Sequence, residues 1–207
     1  MMNETASVTD PIRFQLAVRR FDEANARDPH TELADGQTQP RELVYARRLT
    51  EWVLRLEPNA SEALRLAARC QHLCRWMIPR ERYEMTRAGY LRWRSDLKAF
   101  HADKSGEILR DVGYSEEMIR RVQDLNRKKT FPADPESRVL EDALCLVFLQ
   151  FQLGELIAKT DDAKVVNALR KSWGKMTPAA REHALRLQYS TKEKELLNLA
   201  LAEPGVA

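Results

Sequence analysis

Apolar residues recur along this chain at the three-and-four spacing of an α-helix, and almost nowhere at the two-residue spacing of a strand. Phe14, Ala17, Val18 and Phe21 form the first stripe. Asp10-Pro11 opens it as a cap followed by a proline at the first helical position, and the helix is expected to end near Ala26. Residues 28–40, with Pro29, Gly36 and Pro40, read as a polar loop. A second helix over 42–56 buries Leu43, Ala46, Leu49, Val53 and Leu56 and stops at Glu57-Pro58, since proline disfavours a helical residue before it. Asn59 and Glu62 have the spacing of a capping box for a third helix that carries Ala63, Leu64, Ala67 and Ala68 and is expected to reach Met77. After a short basic connection, a long pattern runs over 88–112, with Gly106 as an expected bend and Gly113 as terminator. Ser115 caps a helix on Met118, Ile119, Val122 and Leu125. Residues 137–159 are apolar nearly all round and are expected to form the central buried helix. Shorter helices are expected over 163–173, over 178–187 behind Thr177, and over 192–201.

These elements describe an all-α, single-domain multi-helix bundle. Its expected parts are a flexible N-terminus over residues 1–9, a helical core over 10–160, and C-terminal helices over 161–207 packed on the same domain. Only 7 of the 207 residues are glycine, which agrees with helices rather than a sandwich or barrel. The net charge of +3 is too small to demand a nucleic-acid or membrane partner, so any such role rests on local clustering. The first residues carry no signal-peptide pattern, and the longest apolar run, around Leu144 to Leu149, is too short to span a bilayer. A cytoplasmic protein without membrane contact is the expectation. Cys70, Cys74 and Cys145 then read as reduced thiols in a core.

Chemistry has few candidates. The sequence shows no nucleophile-elbow, P-loop, dinucleotide or zinc-protease motif. Of four histidines, His30 lies in a polar loop and His183 on a charged helix, while His72 sits late in an apolar helix and His101 follows Phe100 in a helix rich in Lys and Arg. Glu42 opens the second helix, and Glu141-Asp142 enters the most apolar one. An acid there is costly unless it is paired, hydrogen-bonded or metal-bound, though the first turn of a helix also favours it through the dipole. Between Arg65 and Lys104, ten Lys or Arg face four Asp or Glu, interleaved with Trp76, Tyr83, Tyr90 and Trp93. Arg75, Arg80, Arg94 and Lys98 from this segment are the candidate phosphate ligands. Arg94, Lys98 and His101 share one helix face. A solvated charged face explains the same run; a small phosphorylated ligand such as a nucleotide, or RNA, are the functional alternatives.

Two resemblances sharpen this. The motifs Arg41-Glu42-Leu43, Thr50-Glu51-Trp52, Gln71-His72, Arg75-Trp76, Pro79-Arg80, Gly89-Tyr90-Leu91-Arg92-Trp93-Arg94, Phe100-His101 and Leu140-Glu141-Asp142-Ala143 resemble a bacterial and fungal family of unknown function, DUF4202. Over residues 42–150 the order of His72, His101 and Asp142 is also similar to the HD phosphohydrolase superfamily, an all-helical, metal-dependent group. Leu73 stands where that group has the Asp of its His-Asp pair, and Glu42 or Tyr45 stands near its first His. The resemblance implies an HD-like fold and a hydrolase of phosphate esters or anhydrides. It also implies one divalent transition metal (Zn, Mn or Fe) on His72, His101 and Asp142. Glu42, His72 and Asp142 are then the catalytic candidates. The alternatives are a non-catalytic nucleotide- or RNA-binding module on a degenerate form of that fold, or a helical adaptor.

Overall fold

The computed structural model describes residues 8–202. The N-terminus expected to be flexible over 1–9 falls outside this range apart from Val8 and Thr9, and the last five residues of the expected C-terminal part fall outside it as well. Among the described residues there are ten α-helices and one two-stranded hairpin, so the fold is all-α. It divides into two compact units, Met1–Ser137 and Arg138–Ala207.

The first unit is built around a short helix. α1 (Pro11–Asn25), α2 (Arg41–Leu56) and α5 (Glu116–Arg127) all pack against α3 (Glu62–Cys70). Alanine makes that possible: Ala63, Ala67 and Ala68 let neighbouring helices approach, and only Arg65 and Arg69 of α3 escape burial. α4 (Arg87–Asp111) packs on α5 and α1. Gly106 leaves α4 unbroken. It marks the close approach to α5, where an added Cβ would lie 2.5 Å from Gln123 Nε2.

Caps explain most helix starts. Asp10, Thr86 and Ser115 each accept from first-turn amides of α1, α4 and α5. α3 is capped by Ser61 and not by the expected Asn59, its Oγ accepting from Leu64 N at 3.1 Å. Glu62 is unavailable for a capping box, because its carboxylate takes hydrogen bonds from Tyr114 Oη and Thr9 N. α3 also stops at Cys70, short of Met77: turns follow, then 3-10 turns at Arg75–Met77 and Arg80–Arg82. The loop expected over 28–40 contains an antiparallel hairpin, β1 (Thr31–Ala34) and β2 (Gln37–Pro40), turned by Asp35 and Gly36, both at positive φ.

The units divide within α6 (Pro135–Val147). The helix expected over 137–159 is present as one continuous run, in which a π turn (Phe148–Gln152) joins α6 to α7 (Leu153–Lys159). The second unit continues with α8 (Asp162–Lys175), α9 (Pro178–Leu185) and α10 (Thr191–Ala202), and α7, α8 and α10 pack together on Val165, Leu169, Leu196 and Ala200.

Candidate functional site

The site lies in the first unit, where the start of α2 meets the turn after α3 and the middle of α4. α2 begins behind Pro40, which cannot cap it. Asp28 does so from the preceding segment, its Oδ2 accepting from Glu42 N at 3.1 Å. Asn25, the last residue of α1 and fully buried, ties two chain segments together. Its Nδ2 donates to the Glu42 carbonyl at 3.4 Å, and its Oδ1 accepts from Cys74 N at 3.0 Å. Cys74 is left-handed, with φ of 53° and ψ of 34°, and the sharp reversal there places His72 and Arg75 on the same carboxylate.

Glu42 is the centre of the group. Its Oε2 is 3.3 Å from His72 Nδ1, and its Oε1 is 3.7 Å from Arg75 Nε. The His72 ring lies flat on Tyr45, with centroids 4.0 Å apart and planes 8° apart. The Arg75 guanidinium stands 4.9 Å over the Trp93 ring, and Trp93 is itself held by its Nε1–H to the Ile78 carbonyl at 2.9 Å. From α4, His101 places its ring 5.8 Å from that of His72. A carbonyl only accepts, so the 2.9 Å contact of His101 Nδ1 with Leu73 O assigns the proton to Nδ1. Nε2 is left as a bare lone pair, buried and without a hydrogen-bond partner.

Burial sets the protonation states. It pushes Glu42 up from 4.5 to about 7, with Arg75 pulling the other way. It drives His101 down to about 3 and holds His72 well below its ordinary value, with Arg75, Arg94 and Lys128 adding to the effect. The Glu42–His72 contact is therefore not an ion pair at neutral pH: a neutral imidazole faces a carboxyl poised between its two forms. Side chains of His72 and Arg75 remain 17% and 24% exposed, whereas Glu42 and His101 are buried behind them.

The candidates named from sequence thus fall into three sets. Glu42, His72, Arg75 and His101 come together. Arg94 lies within electrostatic reach of His72 and Arg75, and Lys98 sits one turn further along α4. Arg80 is spent on the chain, donating to the carbonyls of Tyr83 (3.0 Å) and Glu84 (2.6 Å) in the loop before α4. Asp142 belongs to the second unit, where Oδ1 accepts from Thr177 N at 2.9 Å and Oδ2 from Thr177 Oγ1 at 2.6 Å, bracing the residue that caps α9. Among the described residues, no group of three or more His, Cys, Asp and Glu is arranged to hold a metal ion. Asn25 and Asp28 were missed. Asn25 had a visible signal, a polar residue one turn past Ala17 and Phe21 on a buried stripe. Cys74 had none.

The class defined so far is an all-α protein with a buried acid–imidazole–guanidinium group. Residues 15–197 match the family model described as Domain of unknown function (DUF4202), and the chain belongs to that family. No curated protein and no solved structure matches it. Among the described residues, no helix is long and apolar enough to cross a membrane.

Proposed function

We propose that Glu42, His72, Arg75 and His101 form an acid–base site for a small phosphorylated ligand, on a degenerate HD-like scaffold, and that its reaction is hydrolysis of a phosphate ester or anhydride. The observation that supports this is one carboxyl, raised to about 7, held between an imidazole and a guanidinium. Arg75 offers two N–H groups to phosphoryl oxygens. Glu42 as carboxylate takes a proton from the attacking water while the water oxygen bonds to phosphorus. The P–O bond to the leaving group breaks, its electron pair stays on the leaving oxygen, and the Glu42 proton passes to that oxygen through solvent. The bare His101 Nε2 accepts a hydrogen bond from the water or a protonated phosphoryl oxygen.

The metal implied by the HD resemblance is not used in this mechanism. The described residues supply no three-ligand group, and the carboxylate beside His72 is that of Glu42, which already has the Arg75 guanidinium 3.7 Å away. That same shortage supports a second reading, in which the scaffold binds a nucleotide or RNA without turnover.

The test uses untagged full-length protein, its metal content measured. It is offered nucleotides, simple phosphate esters and a short RNA, with and without chelator and added Zn, Mn or Fe. The expected result is chelator-insensitive phosphate release whose kcat/KM rises as pH passes about 7. Glu42→Gln and Arg75→Ala should each lower it by at least about 100-fold. Thermal stabilisation by a nucleotide or RNA without release selects the second reading. Release only with added metal, lost on His72→Ala, replaces the metal-free mechanism. Neither release nor stabilisation, by protein of unchanged melting temperature, ends both readings.

A further inference from the structure

Along α4, Arg87, Leu91, Arg94, Lys98 and His101 are spaced four, three, four and three residues apart, which puts them on one face of the helix. The stripe descends from solvent into the core. Arg87 and Leu91 are exposed, Arg94 and Lys98 half-buried, and His101 only 3% exposed. Its inner end is the unpartnered Nε2 of His101, beside His72.

No carboxylate answers its two half-buried cations. Among the described residues, the side chains of Arg94 and Lys98 make no hydrogen bond or ion pair, although α4 carries four acidic residues. Asp96 accepts from Tyr83, Asp103 pairs with Arg127, and Glu107 pairs with Lys104. Asp111 lies ten residues past His101, at the far end of the helix. Two positive charges beside the site are thus left without a counter-charge from the chain, free for an anionic ligand to neutralise. Arg94 is also near enough to His72 and Arg75 to disfavour positive charge on both, so the surplus adjoins the site already described. Arg94 and Lys98 are about 6 Å apart along the helix axis, and together with Arg75 they bring three positive charges to one end of the site, more than a single phosphate group carries negative charges.

We propose that the ligand carries two or more consecutive phosphates, with the terminal phosphoryl group at Arg75 and His101 and the next ones extending along α4 to Lys98 and Arg94. This rests on the phosphate reading of the Glu42 cluster and narrows it from phosphorylated ligands in general to diphosphate or triphosphate chains. A nucleoside di- or triphosphate and inorganic polyphosphate share that chemistry. With the nucleotide, the base leaves the track at the exposed Leu91.

The experiment is calorimetric titration of the full chain with orthophosphate, pyrophosphate, tripolyphosphate, AMP, ADP and ATP. It is repeated for Arg94→Gln/Lys98→Gln, the conservative Arg94→Lys/Lys98→Arg, and Arg75→Ala. Wild type should bind pyrophosphate or tripolyphosphate at least 10-fold more tightly than orthophosphate. The glutamine pair should erase that preference, weakening pyrophosphate and tripolyphosphate far more than orthophosphate in protein of intact melting behaviour, and the conservative pair should keep it. ADP and ATP binding more tightly than pyrophosphate and tripolyphosphate assigns the nucleotide, and equal affinity assigns polyphosphate. Orthophosphate or AMP binding with no gain from further phosphates overturns this inference but leaves the Glu42 site standing, as does a preference that survives the glutamine pair. Binding of none of the six by wild type removes the Glu42 reading and this one with it.

Discussion

Glu42 and His101 pull the pH dependence of stability in opposite directions. In the folded chain Glu42 holds its proton up to about 7, whereas unfolded it releases it near 4.5. Its contribution is therefore fully present below 4.5 and is lost as pH rises through about 7. His101 stays neutral in the fold down to about 3 but takes a proton below 6.5 when unfolded, so its contribution is present above 6.5 and is lost as pH falls toward 3. Between 4.5 and 6.5 the two trends offset each other. Glu42→Gln removes one of them, so its melting temperature should drop more steeply than that of wild type as pH is lowered from 7 to 4.5. Parallel curves in a calorimetric pH series would show that Glu42 titrates normally. His72 was legible as a polar group late in an apolar helix, and Glu42 and His101 through the motifs Arg41-Glu42-Leu43 and Phe100-His101. Asp142 looked the same in sequence, but its partner Thr177 is 35 residues away, and no local pattern announces a contact of that range.

The elements show the same division between local and distant causes. Helix starts at Asp10, Ser115 and Thr177 were legible because a cap acts within three residues. The end of α3 was not, because the apolar pattern runs on through Leu73 while the chain turns to satisfy Asn25 and His101. The hairpin was hidden by its brevity, two four-residue strands of mostly polar residues, despite an Asp35-Gly36 turn of the favoured kind. Two glycines separate strain from contact. A Cβ on Gly36 meets nothing within 4 Å, so Gly36→Ala costs only its positive φ, about 1 kcal/mol. A Cβ on Gly89 would lie 2.2 Å from the Glu84 carbonyl oxygen, which is rigid backbone held by Arg80. Gly89→Ala should cost clearly more than Gly36→Ala in urea unfolding and should shift Trp93 fluorescence. Equal losses would mean that the loop before α4 yields freely.

For the molecule as a whole, the all-α class followed directly from the spacing of apolar residues, and family membership from motifs spread over most of the chain. A division inside a helix has no signature in composition, and α6 carries no glycine or proline after its first residue to mark one. Whether the turn that carries the site opens by itself or only with the core of its unit can be read from a single proton. The Cys74 amide belongs to no helix, yet it is locked onto Asn25 in the interior. In deuterium it should therefore persist as long as the amides of α3, unlike its neighbours in the turn. Asn25→Ala should release it to rapid exchange and weaken the fold by roughly 1–3 kcal/mol, the cost of an unsatisfied buried donor. That one slow signal would then act as a clock for the site, stopping whenever a bound ligand keeps His72 and Arg75 in place.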